Sequence, residues 1–262
     1  MKDLPLVSIA ITTFNQKKYL EECIESCLSQ IEDYRNIEIV ISDDSSKDGT
    51  VEMLEDYREK YPDIIRIFLS KTNQGITINS NRSLMNCRGK YIAIIAGDDL
   101  MKKGKIAEQV KILESDSTCG ICYHDSEIFN SETGEVIAYS SNLSPTISGD
   151  VKKLIKEGCF IGMCCEAMVR AELAQKVKYD TRVPIASDWL FAVEILALGY
   201  NVKYINKCLA RHRRHGNNIT NNSKDNFNIS LLQDHVTSCG IILTKYPIYY
   251  GEILYREAFL YR

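Results

Sequence analysis

An α/β fold, a mostly parallel sheet flanked by helices, is what this sequence predicts, and three observations predict it. Strand-like apolar runs alternate with helix-spaced apolar residues through roughly the first hundred positions. Three of those runs end in polar groups: Thr12-Thr13-Phe14-Asn15, Asp43-Asp44 and Asp98-Asp99. The run Tyr91-Ile92-Ala93-Ile94-Ile95-Ala96 is apolar without alternation, as in a central strand buried on both faces, and it stops at Gly97 before the two aspartates.

Residues 6–13 read as the first strand. Leu20, Cys23, Ile24, Cys27 and Leu28 then recur at helical spacing, with Asn15 placed to cap. A second strand over 37–42 leads through Asp43-Asp44-Ser45-Ser46 to a helix over about 50–61. A third strand spans 64–69, Asn73-Gln74-Gly75 turns into a helix running toward Met85, and 91–96 is the fourth strand. Past Lys105 a helix carrying Ile106, Val110 and Leu113 precedes a strand around Ile121 and a hairpin turn at Ser131-Glu132-Thr133-Gly134. Asp150 can cap a short helix, and Ala186-Ser187-Asp188 opens a helical run over 189–198 that Gly199 stops. A strand over 202–205 precedes the basic cluster Arg211-His212-Arg213-Arg214-His215. Beyond it lie a polar segment over 217–226 and a tyrosine-rich helical tail over 227–262.

The chain has 262 residues, 45% hydrophobic and 26% charged, enough for a large core. A net charge of −3 gives no global basic field, so nucleic acid is not an expected partner. No apolar stretch approaches a membrane span and the N-terminus lacks a signal-peptide core, so the expectation is a soluble, cytoplasmic protein. Ten cysteines fall mostly on apolar faces, among them Cys23, Cys27, Cys87 and Cys159. Cys119 and Cys122 form one Cys-x-x-Cys without a second pair at zinc spacing, and they read as core thiols kept reduced.

Open α/β sheets place their sites at the carboxyl edge of the strands. Paired hard oxygens at Asp98 and Asp99 suit a divalent cation such as Mg²⁺ or Mn²⁺, which can in turn hold a diphosphate. The other reading of the pair is a strand-to-helix turn, where aspartate is common.

The chain resembles the family-2 glycosyltransferases of the GT-A fold, which are inverting enzymes that use nucleotide-sugar donors. The likeness runs over about residues 7–220. It is carried by VSIAITTFNQKKYLEECIESCLSQ, IVISDDSSKDGT, NQG followed by NSNRSLMNCRGKYIAIIAGDD, SDWLF and RHGNNIT, in the family's order and spacing. The resemblance implies that Thr12 and Phe14 border the nucleotide base, that Asp43 accepts from the uracil N3–H, and that Asn81 helps hold the nucleoside. The family's Asp-x-Asp is altered here: Ala96 replaces its first aspartate, leaving Asp98 for the donor ribose or the metal and Asp99 for direct metal ligation. His215 matches a histidine that reaches back to metal or diphosphate, and its imidazole tilts the choice toward Mn²⁺. Asp188 matches the catalytic base, with Ser187 in place of the usual glutamate.

The activity implied by the resemblance is metal-dependent transfer of a sugar from a UDP-sugar to a hydroxyl of a saccharide or lipid-linked acceptor, as in bacterial surface-polysaccharide synthesis. The resemblance also implies that residues 1–222 form the GT-A domain (a nucleotide-binding half, 1–100, and an acceptor half, 101–222), with 223–262 as a helical appendage. The tail's tyrosines suggest packing on the domain, on a second subunit, or peripherally on the inner face of a membrane. Ala96 and Ser187 leave open a non-catalytic sugar-nucleotide-binding module of the same fold.

Overall fold

The computed structural model describes residues 4–157, 161, 163–216, 218 and 229–260. Cys159, Ile219, Thr220, Phe227, Tyr261 and, apart from Asn218, the polar stretch over 217–226 lie outside the described residues.

The first half shows the predicted alternation: β1 (Val7–Thr13), α1 (Lys17–Leu28), β2 (Ile37–Asp43), α2 (Thr50–Lys60), β3 (Ile65–Leu69), α3 (Ile76–Asn86) and β4 (Tyr91–Ala96). β1 lies between β2 and β4, parallel to both, and β2 pairs in parallel with β3. Successive strand residues supply opposite faces. Val7, Ile9 and Ile11 pack in one buried cluster with Leu20, Cys23 and Ile24 of α1, whereas Ala10 joins the other with Ile92 and Leu84. Asn15 does not cap α1. Gln16 holds the N-cap position without a side-chain bond, while the Asn15 side chain accepts Lys47 N–H at 2.8 Å and ties the two loops together.

The second half comprises β5 (Leu100–Met101), α4 (Lys105–Ser115), β6 (Cys119–Asn130), β7 (Val136–Tyr139), α5 (Val151–Glu157), β8 (Met168–Arg170), α6 (Ala171–Val177), α7 (Asp188–Leu196), β9 (Asn201–Arg214), α8 (Ile229–Lys245) and α9 (Tyr250–Leu260). The predicted hairpin joins β6 to β7, and the Asp150 carboxylate accepts Lys153 N–H at the start of α5. β8 runs antiparallel to both β4 and β6, so the sheet departs from the parallel pattern in this half. β5, β8 and α6 are too short to show periodicity in sequence.

Strand order is β3-β2-β1-β4-β8-β6-β9-β5, with β7 beside β6. β5 begins four residues after β4 ends, yet β4 sits in mid-sheet and β5 at the far edge, on β9. A link that short requires the sheet to curl so that the end of β9 comes back to the end of β4. The basic cluster through Arg214 therefore belongs to a strand, and Arg213 is buried. It is not a solvated basic face.

The C-terminal helices are part of the same body. Cys239, Ile241 and Ile242 of α8 and Ile253 of α9 share a buried cluster with Leu190 and Val193 of α7, so residues 229–258 act as an extension of the core rather than a loose appendage. Their outer face leaves Ile229, Val236, Tyr250 and Tyr255 exposed. Among the described residues no helix is long and apolar enough to cross a membrane.

Candidate active site

Three strand ends meet at the carboxyl edge, as the sequence predicts. Phe14, just beyond β1, is 43% exposed, so its ring does not join the core. Thr12 is half-buried, and its carbonyl accepts Gly97 N–H at 2.9 Å, which aligns the ends of β1 and β4. A Cβ at Gly97 would lie 2.8 Å from Gln16 Oε1 and 3.1 Å from Thr13 Cβ, so a side chain there would push its neighbours aside. Asp43 has no exposure, and its carboxylate accepts both the backbone N–H and the hydroxyl of Ser46. In this conformation Asp43 shapes the loop that follows β2.

Its neighbour Asp44, to which the sequence motifs assign no role of its own, receives Gln74 N–H and Gly75 N–H on one oxygen at 2.9 and 2.8 Å. The other oxygen is buried without a hydrogen bond, 3.8 Å from the Arg82 guanidinium. Arg82 also reaches the Asn79 side chain at 3.1 Å and the Asp43 carbonyl. Asn79 in turn donates to the carbonyls of Thr13 and Ser42, both at 3.1 Å.

Asn81 is placed differently from expectation. Its amide clamps the backbone of Tyr179, donating to the carbonyl and accepting the N–H, each at 2.8 Å. On the same helix, Asn79 and Arg82 face the ends of β1 and β2 instead. Asn81→Ala strands both Tyr179 groups in a part-buried setting, and a loss of about 1–3 kcal/mol in urea-unfolding stability is the expected outcome. Thr77, a turn earlier on α3, donates to the Val183 and Pro184 carbonyls at 2.9 Å, so α3 fixes the segment leading into α7. Asp234 of α8 holds the same segment from the other side, accepting Ile185 and Ala186 N–H at 2.8 Å.

Asp188 is the first residue of α7, after Ser187, and makes no side-chain cap bond. Desolvation pushes its carboxyl up to about 7, although the residue keeps partial contact with solvent. Nearby Tyr179 has its phenol pushed up by burial first, then by Asp188 and Cys164.

The two aspartates after β4 turn to different partners. Asp98 meets His215: Oδ2 lies 2.9 Å from Nε2, with the Asn218 amide donating at 3.3 Å. Burial and the adjacent Asp99 push the Asp98 carboxyl up, and His215 pulls it back. Asp99 is fully buried. Arg213 N–H donates to one oxygen at 2.8 Å and His212 Nδ1 lies 3.1 Å from the other. Desolvation opposes a charge on His212, but Asp99 and the Cys164 thiol outweigh it, pushing the imidazole up to about 12. Of the three expected cation ligands Asp98, Asp99 and His215, Asp98 contacts His215, whereas Asp99 faces His212 and Arg213 of β9.

Tyr19 of α1 stacks on His215 with ring centroids 4.5 Å apart, and Arg213 lies over the same tyrosine. The only sequence signal for Tyr19 is its position one turn into a helix beginning at the cleft. Because it orients a candidate ligand, Tyr19→Ala is expected to weaken Mn²⁺-dependent nucleotide binding by roughly 10–100-fold while leaving metal-free binding unchanged, as isothermal titration can measure.

A family model described as "Glycosyl transferase family 2" matches residues 8–178. TuaG of Bacillus subtilis, a glycosyltransferase named for teichuronic acid biosynthesis, is 26% identical over 230 residues, covering 83% of this chain and 82% of that protein. Several other curated relatives match over less than half of their own length. Among solved structures, the Pyrobaculum calidifontis mannosyltransferase PcManGT, in complex with GDP-Man and Mn²⁺, superposes with a TM-score of 0.70 at 20% identity, over 99% of this chain and 70% of that one. Staphylococcus aureus TarS with UDP-GlcNAc gives 0.69 at 16% identity, over 92% and 67%. These structural likenesses establish the shared GT-A architecture. The matched segment includes the ends of β1, β2 and β4, and the chain belongs to glycosyl transferase family 2.

Proposed function

We propose that the protein transfers a sugar, with inversion, from a UDP-sugar to a hydroxyl of a saccharide or lipid-linked acceptor, with Asp188 as general base. The observation that carries this reading is the return of β9 to β4. It sets His215 against Asp98 at the edge where Phe14 is exposed, while α3 links that edge to the Asp188 segment. Support for the donor comes from TarS, whose structure holds UDP-GlcNAc, and support for a cation from PcManGT, whose structure holds Mn²⁺.

A carboxylate oxygen and an imidazole nitrogen 2.9 Å apart form a donor set that fits Mn²⁺ better than Mg²⁺. Asp98 and His215 are the residues that would hold the ion; when bound, it supplies charge neutralisation to a departing diphosphate. Asp188 takes the proton of the acceptor hydroxyl as its oxygen bonds to the anomeric carbon. The bond from that carbon to the diphosphate oxygen breaks, the nucleoside diphosphate leaves with the electron pair, and Asp188 ends protonated. A carboxyl titrating near neutrality is matched to that task.

Cytoplasmic placement with peripheral membrane contact accords with the exposed apolar side chains of α8 and α9. Release of UDP from UDP-sugars, assayed with and without Mn²⁺ and with candidate acceptors, tests the reading. Binding of UDP-sugar without release under every acceptor condition would instead favour a non-catalytic sugar-nucleotide-binding module.

A further inference from the structure

Four metal-capable side chains converge beside the Asp98/His215 pair, and the proposed transfer step uses none of them. Asp99, Cys164, Cys165 and His212 each offer one ligand atom, and all four atoms lie within 4.8 Å of one another. Asp99 and Cys165 are fully buried, Cys164 and His212 partly so. They come from three segments: the end of β4, the turn over 163–166, and β9. The turn is pinned in place by the Ala96 N–H donating to the Cys164 carbonyl at 2.6 Å. Consecutive side chains on a strand point to opposite faces, but in a turn two adjacent thiols can approach one point. Arg213 N–H, on the second Asp99 oxygen, fixes the carboxylate's orientation in the way an outer partner steadies a ligand.

We propose that Asp99, Cys164, Cys165 and His212 form a closed, structural zinc site beneath the donor cleft. Two thiolates, an imidazole and a carboxylate are a borderline-soft set that favours zinc and serves Mg²⁺ or Mn²⁺ poorly. Zinc bonds of about 2.0–2.3 Å in a tetrahedron set ligand atoms roughly 3.3–3.8 Å apart. Asp99 Oδ2 to His212 Nδ1 is 3.1 Å and His212 Nδ1 to Cys164 Sγ is 3.6 Å, so closure on the ion needs only small shifts. The site would cross-link β4, the 163–166 turn and β9, the three pieces that position Asp98 and His215. It is chemically distinct from the Asp98/His215 pair and does not depend on which donor the cleft takes.

The full chain, purified under reducing conditions after growth with zinc, should carry zinc in stoichiometric amount by elemental analysis. The chelator-stripped protein should give a thiolate-to-cobalt charge-transfer band on titration with Co²⁺. Cys164→Ser/Cys165→Ser should lose the band, and Asp98→Asn should keep it. Cys165→Ser alone, a milder change, should reduce its intensity if the double variant does not fold. A wild-type protein with neither zinc nor a charge-transfer band overturns the proposal. So does a band that survives in a folded double variant, since other thiols such as Cys23 and Cys27 would then be the ligands.

Discussion

Asp188→Asn should lower sugar transfer by about a hundredfold to ten-thousandfold, the usual contribution of a positioned general base. Asn preserves shape at the first position of α7, and Asp188 makes no cap bond there to lose. Folding and UDP affinity should survive, and the loss should appear in kcat at saturating donor. The wild-type pH profile gives an independent check. Burial raises the carboxyl to about 7, and the base acts only when ionised, so kcat should climb with pH through about 7 and level off above it. The sign for stability is opposite. A raised pKa means that the folded state holds the proton more tightly than the unfolded one, so the Asp188 contribution is complete below about pH 4 and is lost as pH rises toward 7. Asp188→Asn should flatten both trends. An Asn variant with near wild-type turnover would send the search for the base elsewhere.

Asp98→Ala should remove the Mn²⁺-dependent part of UDP binding and with it most donor turnover, because a hard-cation site loses its carboxylate and His215 its partner at 2.9 Å. His215→Ala should do the same less severely, the carboxylate being retained. Calorimetric titration of UDP with and without Mn²⁺ separates these effects from general damage, since metal-free binding should be unchanged in both variants. Metal-dependent affinity that persists in Asp98→Ala would move the cation to another set of groups.

Sequence was sufficient for the nucleotide half because its signals are local. Apolar runs bounded by Asp43 and Asp98 state both the strand and the place where it ends. The start of α7 at Asp188 was likewise legible from the apolar run that follows it, while the role given to Asp188 came from the family resemblance alone. What could not be read were relations set by tertiary approach. Asn79 and Asn81 lie two residues apart on one helix, and only the packing shows that Asn79 serves the strand ends while Asn81 grips Tyr179. Asp98 and Asp99 are adjacent, yet the backbone turn sends them to different histidines. The cysteines were legible only in part. Cys119 and Cys122 have a suggestive spacing but serve as core residues of β6, whereas Cys164, Cys165 and His212 share no recognisable spacing and meet because β9 returns to β4.

That return also fixes when the site can exist. Met101 pairs with Ala210, and Asp98 contacts His215, partners separated by more than a hundred positions of intervening chain. Contacts of such separation form only after the entropy of closing the long loop has been overcome. A nascent chain that has emerged only through α3 and β4 can assemble the parallel sheet and the Phe14 side of the cleft, but has nothing to set against Asp98. Grip on a diphosphate would thus arrive as one of the last events of folding, once β9 is in place, and a half-made protein would have little means of sequestering nucleotide-sugar.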